Sequence, residues 1–418
     1  MATAISLYDG TTTINLTLAS GYLPEDYKMD SCDFAKLDDP EITASIDLLI
    51  TSTTGLLVQA LVNAVELMAM AAFRRQQKPA SFPKVFLQLQ MDGEANTWRA
   101  EIIDCKLKPG DDFLRNWFAF SQKATLLITH KAFEGPRKEL SISSNGNSAA
   151  TGGRSITNNA NNWIGIAGSQ VGGVLPTPVE LQLTNTSGGT RNYRHFFLAT
   201  NAFSDPANFS HRISGGSVTL SASGSTYTGE IQVALSSTVM QDTQGRSFRP
   251  IIRITTLGGP VYCRPELQDS TGNIPLTPDT KEVYIPAIST AFIELDSIPL
   301  PPGGNYASWS DTAFSLLFRG AGAYAITVES TQLTPTDSYQ YIAQIGNSIA
   351  NNVIVTFDNI EEIYHSGGYM YYSNKAGRLR VWPGQTQRIL ILQDEGGSST
   401  TTQTMSVRAY IRERRLTV

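Results

Sequence analysis

Four histidines, His130, His195, His211 and His365, are scattered through the chain, and no two stand four residues apart. A helical zinc site needs such a pair, because residues i and i+4 share one face, so HExxH metal chemistry is not written here. His130 falls at the end of an expected strand and reads as a polar surface residue. Ser187-Gly188 and Ser366-Gly367 lack the GxSxG frame that raises a nucleophile on a strained turn, and the glycines after them are turn chemistry. Gly152-Gly153-Arg154-Ser155 and Gly165-Ile166-Ala167-Gly168 lack the lysine ending and strand-to-helix setting of a phosphate loop. Asp111-Asp112 and Glu361-Glu362 are carboxylate pairs of the kind that could hydrolyse glycosides. Neighbouring carboxylates on a strand or loop point apart, however, and solvated charge is the plainer reading. Asp92, Glu94 and Asp104 surround an expected hairpin without the spacing of a twelve-residue calcium loop. The expectation is no catalytic residue, no metal and no cofactor, hence no enzyme.

Two further groups could do binding chemistry. Tyr364, Tyr369, Tyr371, Tyr372 and Trp382 cluster in sequence, and Tyr306 and Trp309 sit in a Pro-Gly loop. Exposed rings stack on the C–H faces of sugars, which makes Tyr306, Trp309, Tyr369, Tyr371 and Trp382 the candidate glycan contacts. Filling a core or a subunit interface is the competing role. Arg408, Arg412, Arg414 and Arg415 form a basic end. They lack the aromatic interleaving and wider field that nucleic acid requires. A solvated strand edge, guarded by charge against stray pairing, or ion pairs to an acidic neighbouring subunit, fits them better.

Cys32, Cys105 and Cys263 are odd in number and lack metal-type spacing, so reduced, mostly buried thiols and assembly in a cytoplasm are expected. Met1 to Gly10 has no basic start or long apolar run, so no secretory signal is expected. Residues 48–65 carry no charge, but Thr51 to Thr54 interrupt them and Glu66, Arg74 and Arg75 follow, so no membrane insertion is expected.

The 418 residues exceed one core and fit two to four domains. Apolar residues make 41% and charged residues 17%, with 34 Gly and 20 Pro, the balance of many short strands joined by turns. The net charge of −5 gives no basic field toward nucleic acid. Residues 1–143 hold 14 Lys+Arg against 18 Asp+Glu.

The elements follow from periodicity. Ile42, Ala44, Ile46, Leu48 and Ile50 alternate as one strand face. Ser52, Thr53 or Thr54 offers a cap for a helix over 53–77, with Leu57, Leu61, Val65, Met68 and Ala72 on one face and Arg74, Arg75 and Lys78 near its end. Val85, Leu87 and Leu89, then Trp98, Ala100 and Ile102, form a hairpin around Asp92-Gly93. Residues 144–175, rich in Asn, Gly and Ser, read as a linker. From Val179 short strands recur, at 218–222, 230–235, 251–256, 282–288, 291–296, 313–318 and 324–329, the pattern of a sandwich or jelly roll. About five more strands are expected over 339–418.

This order of parts resembles the distal tail proteins of long-tailed bacteriophages and related tail-tip proteins. Strand, Thr-rich cap, helix and hairpin at 42–103 resemble their ring domain, and Leu126 to Pro136 its closing strand. Val179 to Phe196 and Leu379 to Arg415 look like the first and last strands of their outer sandwich. Residues 205–335 look like an added sandwich, ending in a strand similar to that of carbohydrate-binding modules.

The resulting expectation is a mainly β protein. A tail-tube-like ring domain over 1–143 is followed by a linker over 144–175, a galectin-like or jelly-roll sandwich over 176–335 and a C-terminal β domain over 336–418. In an alternative division the last pairs with 176–204 as one sandwich split around an insertion at 205–335. The resemblance implies a ring, six-fold in the family, at the distal end of a phage tail, assembled in the host cytoplasm. Its partners would be copies of itself, tail-tube and baseplate proteins, and a host surface glycan. DNA would pass only transiently through the channel, and the acidic balance of 1–143 suggests a wall that repels it. A carbohydrate-binding adhesin, a major tail-tube subunit and a glycan hydrolase are the alternatives.

Overall fold

The computed structural model describes residues 2–33, 40–53, 55–77, 83–110, 121–144, 147–157, 163–190, 194–200, 212–234, 247–269, 280–287, 291–299, 312–335, 339–343, 349–357, 363–365, 368–370, 374–376, 380–394 and 404–416. The fold is mainly β, with one α-helix among the described residues. Two compact units divide the chain. One joins Met1–Lys138, Val171–Thr177 and Ile411–Val418; the other joins Glu139–Gln170 and Pro178–Tyr410.

The first unit begins with β1 (Ala2–Tyr8), β2 (Thr13–Asn15), β3 (Tyr22–Asp33), β4 (Glu41–Thr51) and α1 (Gly55–Gln77). β5 (Phe86–Met91), β6 (Thr97–Pro109), β7 (Ser121–Lys131) and β8 (Phe133–Glu139) follow. Alternation fixes the register of β4: Ile42, Ala44, Ile46, Leu48 and Ile50 are all buried, and the residues between them face outward. β6 serves two ladders. Its first half pairs with β5, giving the order β2-β1-β5-β6, and its second half pairs with β7, giving β3-β4-β7-β6. A register shift between Ile102 and Asp104 marks the bend between them. Trp98, Phe133, Leu87, Ile128 and the buried stripe of α1 close the core.

That stripe is Val58, Val62, Val65, Met68 and Ala72. It differs from the expected one at its start, where Leu57 is 49% exposed and Val58 and Val62 are buried. Apolar residues surround this end of the helix, so the sequence pattern alone leaves its phase open. α1 packs on β6, with lesser contacts to β4 and β7. Tyr22 donates its hydroxyl to the Leu61 carbonyl at 2.8 Å, and Gly21 (φ +86) lets the chain pass where a Cβ would meet Leu61.

After β9 (Ile142–Ser144), the stretch expected as a linker holds strands: β10 (Asn147–Ala150), β11 (Arg154–Thr157) and β12 (Trp163–Ile166). Side chains supply the reason. Arg154 donates to the Ile142 carbonyl at 3.1 Å, and Arg388 lies 3.9 Å over the Trp163 ring. Gln170 exchanges bonds with the backbone of Ser141 at 2.6 and 2.7 Å. A short polar run can therefore be ordered by its neighbours.

β13 (Thr177–Asn185) and β14 (Arg194–Thr200) come next, then the strands of an insertion: β15 (Arg212–Thr219), β16 (Gly229–Ala234), β17 (Ser247–Leu257), β18 (Val261–Asp269), β19 (Val283–Ile285), β20 (Ala291–Glu294), β21 (Ile298–Pro299), β22 (Thr312–Arg319) and β23 (Ala325–Pro335). The chain ends in β24 (Tyr339–Ala343), β25 (Ile354–Phe357), β26 (Ile363–His365), β27 (Gly368–Met370), β28 (Asn374–Ala376), β29 (Arg380–Val381), β30 (Gln387–Asp394) and β31 (Thr404–Arg415). Strands from either side of the insertion pair with each other: β13 with β25, and β14 with β24 and β30. The buried Asn185 reinforces this, donating to the Ile349 carbonyl at 2.8 Å and accepting from Asn352 at 2.7 Å. The insertion is itself a sandwich of two sheets, β15-β23-β17-β20 and β16-β22-β18-β19, around its own core of Phe248, Ile252, Cys263, Phe314, Phe318 and Ile326.

Candidate functional surfaces

Several expected site residues lie outside the described residues: His211, Tyr306, Trp309, Tyr371, Tyr372, and the pairs Asp111-Asp112 and Glu361-Glu362. Tyr364 and His365 fall on β26, Tyr369 on β27 and His195 on β14, with only their backbones described. Trp382 follows β29 and is 38% exposed. Ser187 is held in an Asn turn, its amide and hydroxyl both donating to Asn185 Oδ1 at 3.0 and 2.7 Å.

His130 is not a surface residue. It is fully buried on β7, with its ring centroid 4.8 Å from that of Phe133. Nδ1–H donates to its neighbour's carbonyl at Lys131 (2.6 Å), which leaves Nε2 to accept the Tyr27 hydroxyl at 2.9 Å. The neutral imidazole is satisfied on both nitrogens, and burial drops its pKa to about 4. The strand's alternation places residue 130 inward with Leu126 and Ile128, a signal readable in the sequence.

The Arg-rich end is solvated at Arg408, which is exposed, but not at Arg412, Arg414 and Arg415, which have partners within the chain. From Ile411 on, β31 belongs to the first unit, beside β8. Arg414 is buried and donates to the Pro176 carbonyl, and Arg412 donates to that of Gly135, both at 3.3 Å. Arg415 stacks 4.1 Å over the Trp98 ring and donates to Glu94 at 3.1 Å. The same carboxylate accepts the Trp98 indole N–H at 2.7 Å. Those bonds, Trp98 first, hold the Glu94 carboxyl below its usual range. Asp104 turns instead to the Cys105 amide (3.0 Å) and Lys106 (3.3 Å), so the three acids expected near the hairpin are not brought together. Cys105 and Cys263 are buried free thiols, and Cys32 is partly exposed. Burial pushes Cys105 up to about 12.

Two surfaces remain, and they differ in kind. Nine of the twelve exposed large apolar side chains among the described residues belong to the first unit: Leu18, Leu23, Met29, Leu57, Leu67, Met70, Phe73, Leu127 and Val174. Leu67 (68% exposed), Met70 (51%) and Phe73 (55%) follow one another at three-residue steps along α1, away from its buried stripe. By length and composition alone this helix could also cross a membrane, a test that bracing helices of soluble proteins pass too.

The second surface is the outer face of β16-β22-β18-β19. Tyr262 opposes Tyr284 on β19 and Arg319 on β22. The two tyrosine rings lie 5.2 Å apart, and Arg319 stacks 4.1 Å over Tyr262. Arg319 grips the Glu282 carboxylate with two nitrogens, which also accepts the Tyr227 hydroxyl at 2.9 Å. Arg264 lies 4.7 Å over the Tyr227 ring and donates to the buried Glu266 at 2.7 Å. β18, which carries half of this surface, was absent from the expected strands. Its Val261, Cys263 and Leu267 alternate, but Pro265 argues against a strand. The proline is tolerated because β19 covers only Val261–Cys263, and the Pro265 carbonyl accepts from Thr280 at 2.5 Å.

No protein-family model matches the chain, and no curated protein matches it. Among solved structures it is similar to a chain of the phage P2 baseplate in its activated conformation with Ca, at 10% identity and a TM-score of 0.24, covering 99% of each chain. A chain of the same baseplate with Sr is 9% identical with a TM-score of 0.22, covering 77% of this chain and 99% of that one. At those scores the superpositions carry no functional argument.

Proposed function

We propose that this chain is a structural subunit of a phage tail, closing with its copies into a ring at the distal end. The concentration of exposed apolar side chains on the first unit is the observation that carries this reading. Soluble monomers rarely leave a large contiguous apolar patch to water, so a helix that turns Leu67, Met70 and Phe73 outward is built to be covered. Copies of the same unit are the occupant. A ring needs head-to-tail contacts between two different patches, and the unit exposes apolar side chains on β3 (Leu23, Met29) as well as on α1.

In this reading the outer β domains hold other baseplate components or touch the host. The open face of β3-β4-β7-β6 carries both signs, with Lys28 3.4 Å from Asp47, Lys123 3.9 Å from Glu25 and Lys106 3.3 Å from Asp104. Such a wall has no net positive field to hold DNA, and its paired charges leave less to repel it than the composition of 1–143 suggests. Negative-stain images of the purified chain test the proposal. Single closed rings are expected. Long cylinders would favour a tube subunit, and isolated particles at every concentration would defeat the ring.

A further inference from the structure

The first unit is discontinuous in sequence: Met1–Lys138 is joined by Val171–Thr177 and Ile411–Val418. Residues 412–415 tie three parts of it together. Before and on β6, Arg415 donates to Glu94 and covers the face of the buried Trp98 ring at 4.1 Å. On β8, Arg412 donates to the Gly135 carbonyl, and Glu413 accepts from Lys138 at 3.2 Å. Along 171–177, Glu413 accepts the Gly172 amide at 3.2 Å, and the Arg414 carbonyl accepts the Val174 amide at 3.1 Å. We propose that residues 411–416 are a closing strap, so that the first unit reaches its finished fold only when a segment made long after β8 has docked on it.

The residues that receive the strap are shaped to it. Gly173 has φ +86, and a Cβ there would lie 2.4 Å from the Arg414 carbonyl oxygen. A larger residue at 173 and a docked strap exclude each other, so the close approach is written into the glycine. Charge makes the same demand. Glu134 is half-buried on β8; burial raises its pKa, and Arg414, Arg99, Arg412 and Lys84 draw it back. Arg412 and Arg414 arrive with the strap. Until it docks, Glu134 lacks these two cations and Trp98 lacks the guanidinium over its ring. Distance along the chain sets the timing. Glu94 and Arg415 are 321 residues apart, and Gly135 and Arg412 are 277 apart. Contacts so far apart cost chain entropy before they stabilise anything, so they form late. β1 to β8 therefore wait, unfinished, while Pro178–Tyr410 is made. One consequence rests on the ring reading: the delay keeps a half-made chain from joining assembled copies.

The test is pulse-labelled hydrogen exchange during refolding of the full chain from urea, read by peptide mass. Protection of residues 94–99 and of β8 is expected to appear together with that of 171–177 and 411–416. In the native state Gly173→Ala should speed exchange at 94–99 and β8 about ten-fold or more, because it lifts the strap. Gly152→Ala is the matched control. Gly152 has nearly the same φ, +85, but nothing stands near its Cβ and it lies in the other unit, so these peptides should not change. Should Gly173→Ala fail to fold, Arg415→Met gives a milder change at 94–99, because it removes only the Glu94 bond and the charge over Trp98. Protection of 94–99 and β8 that forms before 411–416 docks would overturn the proposal. So would native exchange that both strap variants leave untouched, or an equal effect of Gly152→Ala. The readout lies within one chain at dilution, so isolated particles would defeat the ring and leave the strap standing.

Discussion

The first unit and the inserted sandwich bury similar cores of branched aliphatic and aromatic side chains, but they finish their outer surfaces in opposite ways. The first unit leaves Leu67, Met70 and Phe73 in water on its helix. The insertion covers an outer sheet face with arginines paired to carboxylates and stacked on tyrosines, leaving one ring, Tyr284, exposed among its described residues. A large exposed apolar patch costs free energy in proportion to its area, and a broad partner surface recovers that cost. A neutralised polar face is stable in water by itself. The difference separates a surface that the proposed ring would cover from one whose charges are already paired within the chain.

The largest expected effect comes from charging the first of these. Leu67→Asp with Phe73→Asp should convert assemblies to single chains by mass photometry. Their melting temperature as single chains should change little, because both side chains are already exposed. The same pair of changes placed on the insertion's surface should leave assembly intact. Next in size is Phe318→Ala. It empties a fully buried site in the insertion and should cost about 3–5 kcal/mol in denaturant titration. A chain that still assembles with its insertion destabilised would sharpen the division of labour.

A third prediction uses His130, buried in the first unit. Its pKa is lowered from 6.5 to about 4 in the folded state. Between those values the unfolded chain takes up a proton that the folded chain refuses. The contribution is therefore full above pH 6.5, declines as pH falls from there, and is lost by about pH 4. His130→Gln should remove about 2–3 kcal/mol of the stability difference between pH 7 and pH 4.5. Urea titrations of both proteins at the two pH values check this. The smallest effect is expected from Lys28→Ala, which breaks an exposed pair with Asp47 and should shift stability by less than about 1 kcal/mol in the same titrations.

Much of the first unit was legible in the sequence because its strands are buried on one face only. Alternation then states both the element and its register, as in Ile42 to Ile50 and in the hairpin around Gly93. The helix was legible as an element but not in phase, since apolar residues at 57, 58, 61 and 62 fit two stripes. The order within residues 144–175 was not legible, because Arg154, Trp163 and Gln170 find partners that only the folded chain brings near. The same holds for the terminal arginines: Arg415 reads as a surface charge until Trp98 and Glu94 stand beside it. The polar face of the insertion was hidden by Pro265, whose strand is permitted by a short neighbour rather than by its own residues.

The account stands on the first unit being the module through which copies join. Mass photometry of the full chain beside Leu67→Asp/Phe73→Asp tests this most directly. One discrete mass at a fixed multiple of 45.5 kDa, falling to a single copy in the variant, is the predicted result. A single-copy mass for the unchanged chain at every concentration, or an assembly that the charged helix leaves untouched, would contradict it.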